Sequence, residues 1–169
     1  ALHLQTKVEE EKGSLMTRLI SSLDVLNVAF VHQYSEETSN WTRAHETGRR
    51  HLEQALGKAV TTRVYENADT PELAKTLIDQ AVAEGAEVVF TTAPQLISPC
   101  MKASVKYPKV RFFNCSVDTH YSSVPSYYGR IYEAKFITGA LAGAMANNDR
   151  IGYIASSPTF GVPASINAF

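Results

Sequence analysis

Val25-Leu26-Asn27-Val28-Ala29-Phe30-Val31 and Glu87-Val88-Val89-Phe90-Thr91 decide how this chain folds. Each is a short apolar run with little polar alternation, the signature of a strand buried on both faces of a parallel sheet. Working outward, strand and helix periods alternate. Residues 41–56 place Trp41, Ala44, Gly48, Leu52, Ala55 and Leu56 on one helical face, and Gly57 stops the helix. Residues 60–65 are β-branched and strand-like. In 71–84, Thr70 is a good N-cap, Pro71 sits at the first helical position, and Leu73, Leu77, Ile78, Ala81 and Val82 form the apolar stripe before Gly85. A helix over 95–106, a strand over 110–115, a short strand over 127–130 and a small-residue helix over 131–146 complete the series. Strands alternating with helices of this length predict right-handed βαβ units: an α/β fold in which a parallel sheet is sandwiched between helices.

The ends read differently. Leu15, Leu19, Ile20 and Leu23 give residues 1–24 a helical period, expected either as a helix laid on the domain surface or as a linker or dimerisation helix. No secretory signal is readable at the start. Residues 150–155 read as a buried strand and 161–169 as the beginning of a helix. Such a pair cannot bury both faces alone, so the chain is expected to continue or to dock there. Gly139 and Gly143, four apart, predict close packing of their helix on the sheet.

Composition removes several classes of function. With 16 Lys and Arg against 17 Asp and Glu, there is no basic footprint for nucleic acid or an anionic membrane. Cys100 and Cys115 are too few for a disulfide framework and lack metal-ligand spacing, so neither metal nor cofactor is expected. The longest nearly uncharged apolar stretch, residues 137–145, is well short of the ~20 residues of a bilayer span.

In a parallel sheet ligands gather beyond the carboxyl ends of the strands. Three loops qualify: 32–42, 91–95 and 115–120. All are rich in hydroxyls and amides, a chemistry for neutral hydrogen-bonding ligands. Neither G-x-G-x-x-G nor G-x-x-x-x-G-K-[ST] is present, which argues against nucleotide binding by those devices. Trp41, the single tryptophan, either caps the core or stacks one ring face on a flat ligand. His45, one turn on, is either a packed histidine or a ligand contact. Ser39 and Asn40 are natural N-caps. Asp118 and His120 share the third loop, where solvated residues or acid/base groups are both conceivable, and Cys100 reads as packing. No G-x-S-x-G elbow frames a serine nucleophile.

Three stretches together carry a family resemblance. Asn40-Trp41-Thr42-Arg43-Ala44-His45-Glu46-Thr47-Gly48-Arg49 resembles the G-W-N-x-x-H-x-x-G-R segment of the basic membrane protein (Med-like) family. The run from Tyr127 through Gly129-Arg130, Tyr132-Glu133-Ala134 and Gly139 to Gly143 is similar to its Y-x-G-R-x-Y-E-A segment. Arg150-Ile151-Gly152-Tyr153-Ile154-Ala155 and Ile166-Asn167-Ala168-Phe169 resemble the strand and helix that follow. The resemblance implies a substrate-binding component of an ABC transporter, with a type I periplasmic-binding-protein fold of two α/β lobes around a cleft and purine nucleosides as ligands of characterised members. It implies a first lobe over 25–147, a second lobe beginning over 148–169, a membrane permease as partner and an extracytoplasmic lipoprotein. Carried over by position, Trp41 is the stacking ring, Asn40 and Thr42 its polar neighbours, and Thr91, Thr92 and Gln95 the second cleft loop; Asp118 joins them from the third loop. Thr38, Thr42 and Thr92-Ala93-Pro94-Gln95 depart from the family pattern. The expected function is therefore non-catalytic capture of a small neutral ligand. A cytoplasmic ligand-sensing domain of a regulator and a nucleoside-processing α/β enzyme are the alternatives. Self-association through the exposed lobe face or the N-terminal helix is expected as well.

Overall fold

The computed structural model describes residues 25–116, 121–148, 150–155 and 162–169. Among these residues five parallel strands form one sheet: β1 (Leu26–Val31), β2 (Val60–Tyr65), β3 (Val88–Thr91), β4 (Arg111–Cys115) and β5 (Ser126–Tyr127). Their order is β2-β1-β3-β4-β5, with Leu26 opposite Val60, Val31 opposite both Tyr65 and Thr91, and Asn114 opposite Ser126. The two apolar runs are thus interior strands. From β1 the chain builds outward first to β2, then to the other side through β3, so the strand order reverses between β1 and β3. That reversal opens a crevice beyond their carboxyl ends, at His32 and Thr92.

The intervening helices are α1 (Asn40–Leu56), α2 (Pro71–Ala83), α3 (Ile97–Lys106), α4 (Ile131–Met145) and α5 (Val162–Ala168). Local chemistry sets several of their ends. Ser39 accepts from the Thr42 amide to cap α1, and Thr70 accepts from the Leu73 amide ahead of Pro71 to cap α2. Gly85 follows α2 with φ +93°, a conformation that favours glycine. The helix expected from Gln95 opens with a 3-10 turn, Pro94–Leu96, and becomes α-helical at Ile97.

Strand alternation divides the core. Ala29, Val31, Val89 and Phe112 pack with Ala74, Ile78 and Ala81 of α2 and Cys100 and Ala103 of α3, forming the main core. On the other face Val28, Phe30 and Val60 meet Leu52 and Leu56 of α1 in a smaller cluster. Phe30, Phe90 and Phe113 stack in a row across β1, β3 and β4, with ring centroids 5.2 and 5.0 Å apart, and Tyr127 sets its edge on Phe90 at 5.7 Å. Helix α1 seals its end of this row and leaves the rest as a groove.

Three expectations are corrected. Residues 150–155 form no strand: among the described residues no neighbour pairs with them, and Ile154 is 99% exposed. The short strand over 127–130 reduces to Ser126–Tyr127, where β4 offers partners. Gly139 packs against the main chain of Phe169 after α5, not against the sheet, so α4 pairs with α5. The helical reading of 1–24 lies outside the described residues.

Candidate functional site

The rim beyond β1 and β3 is built by main-chain bonds that prolong the sheet: the Thr92 amide donates to Val31 O and the His32 amide to Tyr65 O. Trp41, in the first turn of α1, crosses to this rim and donates its indole Nε1–H to the Thr92 carbonyl at 2.6 Å. Its ring lies 5.3 Å from that of His45 and 6.1 Å from that of Tyr128. The lone tryptophan therefore joins α1, the loop after β3 and the segment after β5.

Two hollows meet here and share Gly129. One, of about 400 Å³, is lined by Ser116, Ser126, Tyr128, Arg130 and Tyr132 on one side and by Ser165 of α5 on the other. The second, of about 480 Å³, is the apolar groove along Phe30, Trp41, His45, Leu52, Phe90 and Tyr127. Both fall within the roughly 300–1,000 Å³ of small-molecule pockets. The first is walled by hydroxyls, a guanidinium and two phenol rings, the second by aromatic faces.

The expected site residues divide. Trp41 and Thr92 are brought into direct contact. The Thr92 hydroxyl, however, is buried between Val31 O at 3.2 Å and His32 Nδ1 at 2.7 Å. Thr91 is buried beneath it, donating to Phe113 O and accepting from Asn114 Nδ2 at 2.8 Å. Thr42 donates its hydroxyl to Tyr34 O and is also buried. These three hydroxyls hold the rim together. Asn40 is exposed and accepts from Arg43, and Gln95 is exposed in the turn before α3. Asp118 and His120 lie outside the described residues.

Residues that the sequence reading passed over do much of the positioning. His32 is fully buried, with Nδ1 on Thr92 and Nε2 2.9 Å from the Glu46 carboxylate. Glu46, 3% exposed on α1, also accepts from Arg49 Nε at 3.0 and 2.9 Å. Arg49 reaches on to Thr62 of β2 at 2.7 Å. Thr42, Glu46 and Arg49 stand at helical spacing i, i+4 and i+7, a polar face whose burial the apolar stripe concealed.

Protonation follows from burial. Desolvation lowers the pKa of His45 below the usual histidine value, against the pull of the Trp41 carbonyl that Nδ1 faces at 2.9 Å. Its neutral ring keeps Nε2 as an acceptor beside the groove. Burial pushes the Tyr127 phenol far above its ordinary value and both thiols, Cys100 and Cys115, up to about 11. The thiols are accordingly protonated and unsuited to nucleophilic work. Among the described residues no cluster of three His, Cys, Asp or Glu is placed to hold a metal ion.

Comparison with known proteins adds to this geometry. The family model of PnrA-like ABC transporter substrate-binding proteins, Bmp, matches residues 26–169. A purine-binding protein of Brucella abortus is 30% identical over 144 residues, covering 85% of this chain and 41% of that protein. A protein of Haloferax volcanii that carries the name of an ABC transporter glucose-binding protein is 26% identical over 145 residues, 86% of this chain and 37% of its own length. The chain thus spans about two fifths of the curated relatives it matches. Among solved structures, a transcriptional activator of the comK gene from Bacillus halodurans superposes with a TM-score of 0.65 at 18% identity, over 85% of this chain and 47% of that one. A solute-binding protein of an ABC transporter system from Conexibacter woesei gives 0.59 at 19%, over 73% and 41%. These structures share the fold.

Proposed function

We propose that this chain, which belongs to the Bmp family of PnrA-like ABC transporter substrate-binding proteins, captures a small neutral ligand of the purine-nucleoside type for delivery to a membrane permease. The family is one of binding proteins, not catalysts. In this reading residues 25–147 are the first of two lobes, residues 148–169 begin the second, and the ligand is held where the lobes meet, as in hinge-closing binding proteins. The observation that carries it is Trp41, held at the strand-order reversal by its bond to Thr92 and flanked by Tyr128, beside a hydroxyl-lined hollow. An indole face suits a flat base; Ser116, Ser126 and Arg130 suit a sugar. Asn40, Gln95 and Asp118 remain proposed contacts, while Thr42, Thr91 and Thr92 contribute by shaping the rim.

Stacking on one aromatic ring is worth about 0.5–1.5 kcal/mol beyond area burial, so Trp41→Ala should weaken nucleoside binding roughly 2- to 12-fold, more if contact area is also lost. Calorimetry with adenosine, guanosine, inosine and glucose tests this. Half a cleft supplies half the contacts, so the 169-residue chain should bind nucleosides no tighter than micromolar. Preference for glucose, or nucleoside affinity indifferent to Trp41→Ala, would overturn the assignment; submicromolar affinity would overturn the two-lobe argument.

A further inference from the structure

We infer that His32 is a positioning residue: with Glu46 it clamps the loop after β3 to α1 and thereby sets the Thr92 carbonyl where the Trp41 indole N–H meets it. As a statement about ligand binding this rests on the function proposed above.

Trp41 and Glu46 stand on the same helix, separated by a little over one turn, so their spacing is rigid. Glu46 Oε1 lies 2.9 Å from His32 Nε2, His32 Nδ1 lies 2.7 Å from Thr92 Oγ1, and Thr92 O accepts from Trp41 Nε1 at 2.6 Å. The path returns to the helix it left, through β1 and the loop after β3. A carboxylate only accepts, so Nε2 carries the hydrogen of that bond, while Nδ1 meets the Thr92 hydroxyl, which also lies 3.2 Å from Val31 O. Each member of the path from Glu46 to Thr92 is buried, so an unmade bond has no water to replace it. Arg49 completes the carboxylate and ties it to Thr62 on the edge strand, so the clamp is anchored at both ends. A carboxyl group and an imidazole buried at the rim are costly where apolar packing would serve for stability alone. Their placement makes sense as a device that fixes one rotamer of the ring a ligand would meet.

The indole N–H resonance of Trp41, assigned by its loss in Trp41→Phe, reads the clamp directly. In the 169-residue chain this hydrogen should exchange with solvent much more slowly than that of free tryptophan. Thr92→Val keeps the shape and deletes the hydroxyl, and His32→Phe keeps a ring and deletes both bonds. Each should move the resonance toward the free-indole position and lower guanosine affinity at least twofold, while Thr92→Ser restores both. A resonance unmoved in folded Thr92→Val and His32→Phe overturns the clamp. If those variants do not fold, rapid exchange of the wild-type indole hydrogen does so instead. Wild-type protein that shows the protected indole and binds no nucleoside overturns the proposed function and leaves the clamp standing.

Discussion

Two glycines four residues apart on α4 offer a comparison in which one energy term cancels. A Cβ built on Gly139 would lie 2.2 Å from the carbonyl oxygen of Phe169 and 2.9 Å from its carbonyl carbon; one built on Gly143 meets only Ile151 Cδ1, at 3.8 Å. Both sites lie within the helix, Gly143 in its last turn, so replacement by alanine gains a similar amount of helix propensity at each, up to about 1 kcal/mol. At Gly143 that gain stands alone. At Gly139 the obstacle is Phe169, just past α5: its carbonyl group can turn about the Cα–C bond, but its Cα, 3.0 Å from the added Cβ, stays in the way, an overpacking strain of roughly 1–3 kcal/mol. Gly143→Ala should therefore be stabilised by up to ~1 kcal/mol and Gly139→Ala left neutral or destabilised by up to ~2 kcal/mol, a gap of roughly 1–3 kcal/mol between them. Urea unfolding reads the gap, and amide hydrogen exchange over 162–169 localises it to the α4–α5 contact. Because Ser165 and Tyr132 wall the rim hollow from these two helices, Gly139→Ala should also weaken ligand binding and Gly143→Ala should not. Equal stabilities for the two variants would refute the packing of α4 on α5.

Asp79 supplies a pH signature. Partial burial alone would raise its carboxyl, but hydrogen bonds from Lys106, Lys75 and Tyr107 hold it at about 2, against an ordinary 3.8. Its folded-state pKa is depressed, so its contribution is complete above about pH 4 and fades as pH falls through about 2. Urea midpoints between pH 5 and pH 2 should consequently fall more steeply for wild type than for Asp79→Asn, and parallel curves would contradict the ion-pair geometry. The buried thiols make a separate prediction: with both pushed up to about 11, Cys100 and Cys115 should react with a thiol reagent at pH 8 far more slowly in the folded protein than in denaturant. Folded-state labelling as fast as in denaturant would refute their burial.

The parts of this protein legible in its sequence are those written locally. The apolar runs at Val25 and Glu87, the Thr70-Pro71 cap, the glycine at 85 and the loops after β1 and β3 each carry their cause within a few residues, and the parallel sheet follows from their alternation. So does the placing of Trp41 at the rim, since a helix that follows a parallel strand must begin beyond that strand's carboxyl end. What the tertiary structure alone decided are partnerships at long range. His32 and Thr92 stand 60 residues apart, and only strand order brings them within 2.7 Å; the same pairing turned Thr91 and Thr92 from expected ligand contacts into internal supports. Glu46 carries no local signal of burial; only the fold brings His32 and Arg49 around it. Residues 150–155 have the composition of a strand, yet a strand exists only where another lies beside it, because its hydrogen bonds point outward to a neighbour and not along its own chain.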